Sequence, residues 1–174
     1  TKEPNLDDCS GVSIKGIDIE IKLNNKTFKN RGDLLITHWG FSGPAVLKLS
    51  AIAAREMFSQ KYKFNLIIKW SVLSYKDLKE KINFLRINKG RMNLINIRPL
   101  PKLTKRLWIF LLNKVGIDKE KKWADLLADE REKMINILKR DKYIISGKGP
   151  FGEEFVTSGG VKINEVNFKS MESL

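Results

Sequence analysis

Between about residues 100 and 140 the sequence shows no strand-like alternation, while both flanks do. This asymmetry constrains the fold more than any other feature. Upstream, in VSIKGIDIEIK (12–22), Ile17, Ile19 and Ile21 alternate with polar residues, the period of a half-buried strand. The run YKFNLIIKW (62–70) alternates Tyr62, Phe64, Leu66, Ile68 and Trp70 and is the clearest strand in the chain. Downstream, Lys142-Tyr143-Ile144-Ile145 resumes the β character. The stretch between carries apolar stripes at helical spacing. Leu103, Leu107, Phe110, Leu111 and Val115 follow Arg98-Pro99-Leu100-Pro101; Trp123, Leu126 and Leu127 come next, then Met134, Ile137 and Leu138. The expected fold class is α+β, a β-barrel-like subdomain with an inserted small helical bundle. The expected division is a β-rich subdomain with one or two helices over 1–97, a helical bundle over 98–141, and return strands over 142–174.

Local signals refine this outline. Gly16 interrupts the first alternation and predicts a bulge or bend. Asn24-Asn25 predicts a turn into a short strand around Phe28, and Asp33–Thr37 reads as a third strand. Ser42 is placed to cap a helix that has Pro44 in its first turn and runs to about Phe58, with Val46, Leu49, Ala53 and Met57 on one face. Ser74-Tyr75-Lys76-Asp77 resembles a capping box and opens a helix carrying Leu78, Ile82 and Leu85. Gly116 is a helix stop, and Asp129 with Glu132 is expected to cap the last helix of the bundle. Gly147, Gly149, Pro150 and Gly152 predict a turn, Glu154–Thr157 a strand that pairs back as a hairpin, and 161–166 a last extended stretch.

A chain of 174 residues with 42% hydrophobic residues can bury a core without disulfides or a structural metal. Cys9, the one cysteine, excludes an internal disulfide framework and a cysteine-cluster metal site, and fits a reducing compartment. His38, the one histidine, excludes a His-rich metal site and leaves a Ser-His-Asp triad a single possible base. No run is long and apolar enough to span a bilayer, and TKEPNLDD is not a targeting segment. The expected localisation is cytoplasmic, with no membrane partner. The absence of an initiator Met and the abrupt end predict a piece cut from a longer protein. Lys and Arg number 33 against 20 Asp and Glu, a net charge of +13, which leaves nucleic acid and other anions open as partners.

Two short motifs could carry chemistry. In Thr37-His38-Trp39-Gly40-Phe41-Ser42-Gly43-Pro44 a strand gives way to a glycine-loosened loop and a helix start, where free N–H groups favour an anion or a polarised oxygen. His38 could act there as acid, base or donor. The plainer reading is a capped turn with a structural histidine and a packed tryptophan. In Val156-Thr157-Ser158-Gly159-Gly160-Val161 the paired glycines let backbone approach a ligand, or simply make a flexible turn. Gly147–Gly152 spells GxGxxG, but it lacks the following helix and contains Pro150, so it is no dinucleotide loop. The basic residues of the helical part, Lys119, Lys121 and Lys122 among them, could meet phosphates; a solvated helical face explains them with fewer assumptions.

Taken in order, GDLLITHWGFSGPAVLKLS, LPKLTKRLWIFLLNKVGI, KKWADLLADEREKMINILKRDKYIISGKG and EEFVTSGGVKINEVNFKSMES resemble the BaiN/YhiN-like flavoproteins. These are also labelled the aminoacetone oxidase family of FAD-binding enzymes, or NAD(P)/FAD-dependent oxidoreductases. The resemblance covers about Leu6 to Leu174; Phe168 and Ser170 depart from it where the family more often has Pro and Thr. It implies a Rossmann-like FAD domain split by an insert, and this chain is similar to the insert. The implied function is the substrate-side domain of an FAD-dependent oxidoreductase, which covers the flavin, shapes the substrate pocket, and is inactive alone. FAD would belong to the full-length protein, with no tight binding to this piece, and NAD(P)H could be the electron donor. The implied partners are the FAD domain of the same chain and a small-molecule substrate. By family position Thr157, Ser158, Gly159 and Gly160 would lie near the flavin. Thr37, Trp39, Gly40, Ser42, Gly43 and Pro44 would wall the substrate pocket, with His38 as the candidate for substrate orientation or proton transfer. The alternative is a basic module that binds nucleic acid or protein through its Lys-rich helical face.

Overall fold

A computed structural model describes residues 6–149 and 160–173. Its centre is a five-stranded antiparallel sheet, curled into a half-barrel, in the order β3-β2-β1-β4-β5. β1 (Ser13–Leu23) and β2 (Lys26–Thr37) form a long hairpin. Asn24 and Asn25 make its turn, at φ 47° and 63°, the left-handed pair that matches the twist of a two-residue hairpin. The register of β1 on β2 shifts between Ile14 and Ile17, at the bulge expected around Gly16 (φ 60°). There Gly16 N–H donates to the Asp33 carboxylate at 3.1 Å. β2 is one continuous strand: the two short strands expected around Phe28 and Asp33–Thr37 are joined because every residue from Lys26 to Gly32 has a partner on β1.

β3 (Gly40–Ser42) folds back on β2, and the chain then enters α1 (Pro44–Ile52). Gly43, not Ser42, is the N-cap of α1. Ser42 is held in the sheet opposite Leu35 and makes no capping hydrogen bond. Gly32 lets α1 lie close on β2: a methyl group there would meet Ala45 N at 3.1 Å, and Asn30 Nδ2 donates to Ala45 O at 2.8 Å. The single helix expected to Phe58 is broken at Ala53 into α1 and α2 (Ala54–Ser59), but its buried face is the expected one, with Leu49, Ala53 and Met57 inside.

β4 (Phe64–Lys69) pairs with β1 on one side and β5 (Asp141–Ile145) on the other. Everything from residue 70 to 140 therefore lies between two neighbouring strands. α3 (Tyr75–Asn88) opens with the Ser74–Asp77 capping box and buries Leu78, Ile82 and Leu85. α4 (Lys105–Lys114) is capped by Thr104 Oγ1, which accepts from Leu107 N, and ends at Gly116, at φ 72°. Trp123–Asp125 form one 3₁₀ turn, and α5 (Ala128–Lys139) follows. At its start the carboxylate that accepts the Leu127 N–H is Glu130, at 2.9 Å; Asp129 pairs with Lys133, and Glu132 reaches across to Tyr75. α3 packs against α5 and the 3₁₀ turn. Ile163–Glu165 form a 3₁₀ turn rather than extended chain, and β6 (Val166–Asn167) pairs with β7 (Glu172–Ser173). The expected strand 154–157 lies outside the described residues.

One core runs through sheet and helices. Ile17, Ile19 and Ile21 of β1, Leu34 and Ile36 of β2, and Ile68 of β4 meet Leu107, Leu111, Met134 and Leu138 in a single cluster. Trp70, Trp108 and Trp123 are fully buried in it. Trp108 Nε1 donates to Leu94 O at 2.8 Å, and Trp70 Nε1 to the Asp141 carboxylate at 2.9 Å.

Candidate functional site

The β2–β3 hairpin carries the histidine motif. Thr37 pairs with Gly40, so His38 and Trp39 form a two-residue turn at the hairpin tip. Neither takes a positive φ; Gly40 does, at 147°, and absorbs the twist that such a turn would otherwise put on the strands. His38 and Trp39 are exposed, and their rings meet edge to face with centroids 4.2 Å apart. Trp39 keeps 44% of its surface open. Thr37 is only 8% exposed, and its hydroxyl finds no hydrogen-bond partner. An orphaned buried hydroxyl costs roughly 1–3 kcal/mol, so the tip is polar in a way that the described residues do not satisfy.

The structure thus gathers Thr37, His38, Trp39 and Gly40 at one point. Ser42, Gly43 and Pro44 sit at the root of the hairpin, three strand residues away, or about 10 Å. Gly43 (φ 93°) is wedged against β2: a methyl group there would come within 2.9 Å of Asp33 O and 3.1 Å of Leu35 N. Thr157, Ser158 and Gly159 lie outside the described residues. Gly160 is exposed, and a side chain there would meet open space. The chain leaving β5 does reach the hairpin tip, for a methyl group on Gly149 would sit 3.4 Å from Trp39 Nε1.

The start of α1 does not suit the pyrophosphate of FAD. Pro44 at its first position removes a donor, and backbone of β2 fills the space beside Gly43. The five-stranded sheet is antiparallel at every pairing, and among the described residues no glycine-rich turn joins a strand to a helix in a parallel βαβ unit. The described residues therefore do not fit FAD. They hold no group of three or more His, Cys, Asp or Glu suited to a metal ion either. Cys9 is no nucleophile: it is fully buried, and burial first, then the Asp8 charge, push its thiol up to about 11 against the opposing Arg106. Among the described residues no helix is long and apolar enough to cross a membrane.

A buried polar cluster around Asp141 was not visible in the sequence. Asp141, 2% exposed, accepts from Trp70 Nε1 (2.9 Å), Lys114 Nζ (2.6 Å) and Tyr143 OH (2.6 Å). Lys114 also lies over the Tyr143 ring, 3.6 Å from its centroid. Burial, followed by the Asp141 charge, pushes the Tyr143 phenol far above its ordinary value, so it stays a donor. Both carboxylate oxygens of Asp141 are engaged within the fold, which marks the cluster as structural.

Residues 1–156 match the family described as HI0933-like protein barrel and H2TH domain. The chain belongs to that family. The HI0933-like family is one of flavoprotein-related proteins, in keeping with the resemblance read from the ordered segments. Like that description, the fold joins a curled sheet to a helical part. The HI0933-like chain is also similar to the ribosomal RNA dihydrouridine synthase of Haemophilus influenzae, 26% identical over 167 residues. That similarity covers 93% of this chain but 38% of the relative's length.

Proposed function

We propose that this chain is the substrate-side domain of a flavin-dependent reductase that converts uridine in ribosomal RNA to dihydrouridine. The observation that carries the reading is the similarity to the H. influenzae synthase, which runs through 93% of the chain. Dihydrouridine is uridine with the C5–C6 double bond of the base reduced by two hydrogens. A base must leave its stack for that bond to be reached. The hairpin tip offers what an extruded base needs: an exposed indole to lie on, and polar groups at its edge. Stacking on Trp39 would contribute about 1–3 kcal/mol. His38, exposed and edge-on to that ring, is placed to hydrogen-bond the uracil carbonyl or imide groups.

In this reading residues 1–97 and 142–174 form the β-rich frame and 98–141 the helical insert, with α3 as the link. FAD, which the described residues do not fit, is assigned to the remainder of the protein. The 157–160 segment is assigned to the return toward it, and NAD(P)H is the electron donor. The substrate is a nucleobase within a polymer rather than a free small molecule, and the setting is the cytoplasm, where ribosomal RNA resides.

Two measurements test the reading. The full-length protein should purify yellow, with a band near the ~450 nm of oxidised flavins. Deleting its gene should remove dihydrouridine from ribosomal RNA, as read by mass spectrometry of its nucleosides, and the cloned gene should restore it. Unchanged dihydrouridine in the deletion, together with a flavin-loaded protein that leaves unmodified ribosomal RNA unreduced, overturns it.

A further inference from the structure

The outer face of the sheet gathers positive charge from several strands. The pairing register fixes which side chains share that face. Asp18 lies opposite Arg31 on β2 and Lys69 on β4; Glu20 lies opposite Lys29 and Ile67; Ile67 lies opposite Lys142 on β5. Ile67 is buried yet stands outside the core cluster, as expected of a residue covered by the long side chains of this other face. Two further cations border the same surface. Lys102 lies close enough to Arg31 and Asp18 for their charges to act on it, and Arg140 acts on Glu20 in the same way.

The carboxylates do not balance these cations. Glu20 alone serves Lys69 at 3.0 Å and Lys29 at 3.7 Å, and Asp18 serves Arg31 at 3.8 Å. Asp33, at the far end, is turned to the Gly16 N–H. Among the described residues Lys102, Arg140 and Lys142 have no carboxylate partner within ion-pair distance. Lys102 is half-buried beside Arg31, and burial, then that neighbouring charge, hold its ammonium below its ordinary pKa. Two cations crowded together without a full counter-charge are stabilised by an incoming anion. On the helical face three of the cations are already paired: Lys121 with Glu130 at 2.6 Å, Lys133 with Asp129 at 3.2 Å and Lys79 with Glu132 at 3.9 Å.

We propose that the outer face of the sheet, centred on Lys29, Arg31, Lys102 and Lys142, is the surface on which the phosphate backbone of the RNA docks. From β2 to β5 the face spans three strand spacings, about 14 Å, wide enough to contact more than one phosphate of a strand. The inference rests on the RNA reading above and assigns the contact to the sheet instead of the Lys-rich helices. Phosphate contacts of this kind position the polymer without reading sequence, and leave base selection to the hairpin tip.

The test measures binding of full-length protein to unmodified ribosomal RNA transcripts, and to a polyuridine oligomer, across a salt series. Replacing Lys29, Arg31 and Lys142 together by Gln should lower affinity more than tenfold at moderate salt. It should also flatten the slope of log affinity against log salt by about 2–3, since each lost phosphate contact removes roughly 0.7–0.9. Circular dichroism should match wild type, and Lys142→Gln alone should give about a third of the change in slope. Replacing Lys119, Lys121 and Lys122 by Gln should leave binding within about twofold. If the helical triple weakens binding and the sheet triple does not, the sheet assignment falls while the RNA reading stands. No change from either triple also overturns it, as does a protein that binds anionic vesicles but no RNA. Dihydrouridine content, measured separately, decides the RNA reading itself.

Discussion

Lys114 Nζ lies 2.6 Å from Asp141 Oδ1, and this pair ties the last turn of α4 to the first residue of β5. The same carboxylate takes the Trp70 indole and the Tyr143 hydroxyl, so one buried group joins a core tryptophan, a helix and an edge strand. Removing one member of such a network leaves the others unpaired in a low-dielectric site. Asp141→Ala should destabilise the protein by about 3 kcal/mol in urea unfolding, and Asp141→Asn by less, because the amide oxygen still accepts. A cost below about 1 kcal/mol for the alanine variant would show that the cluster is not the joint described.

Gly43 and Gly40 separate conformational strain from close packing. Both have positive φ, but only Gly43 faces backbone: a methyl group there would stand 2.9 Å from Asp33 O, whereas one on Gly40 would meet open space. Strained backbone of this sort costs of order 1–3 kcal/mol per residue, and a clash with an ordered strand adds to it. Gly43→Ala should therefore lower the midpoint of thermal unfolding clearly more than Gly40→Ala. Equal shifts would contradict the packing of the α1 start on β2.

The period-two and helical patterns made most of this architecture legible. Ile17, Ile19 and Ile21 point inward as their alternation predicts, Gly16 marks the bulge, and Ser74–Asp77 and Gly116 mark helix ends, because each is a local choice with a local cause. What stayed hidden depends on partners far along the chain. Continuity of β2 follows from its pairing with β1, which polar Asn30 and Arg31 do not advertise. Burial of Asp141 follows from Trp70, 71 positions away. The His38–Trp39 turn reads in sequence as the entry to a helix because a three-residue strand such as Gly40–Ser42 has no period to detect. The basic sheet face was invisible for the same reason: its cations come from β2, β4, β5 and the chain just before α4 and just after α5, whereas the helical lysines Lys119, Lys121 and Lys122 are neighbours in sequence and stand out as a cluster.

Acid should weaken the sheet through Glu20 and the helical part through Glu130. Burial pulls both carboxyls upward, but the hydrogen bond and charge of Lys69, with Lys29, outweigh it at Glu20. The hydrogen bonds from Lys121 and Leu127 do so at Glu130. Both therefore titrate below the ordinary 4.5 in the folded protein. In the acid range the unfolded chain takes up these protons first. The stability they contribute is present above the ordinary 4.5 and is lost as pH falls through the lower folded values. Unfolding free energy measured between about pH 7 and pH 3 should fall less steeply in Glu20→Gln and Glu130→Gln than in wild type. Parallel curves would show that these ion pairs do not hold the carboxylates in the folded state.

Thr37 and Trp39 should separate stability from activity at the hairpin tip. The Thr37 hydroxyl is buried without a partner, so replacing it by a methyl group removes an unsatisfied polar atom and adds an apolar one. Thr37→Val should unfold at the same or a higher urea concentration than wild type. The hydroxyl is enclosed and out of reach of a ligand, so the same variant should form dihydrouridine at a rate within about twofold of wild type. Trp39→Ala, at a half-open position, should change stability little but remove a stacking surface of about 1–3 kcal/mol, a loss of roughly 5–150-fold in kcat/KM. Trp39→Phe, which keeps a ring, should recover part of it. Full activity in Trp39→Ala would move the base-binding site away from this turn, and a Thr37→Val variant that loses stability would show that the hydroxyl is not orphaned.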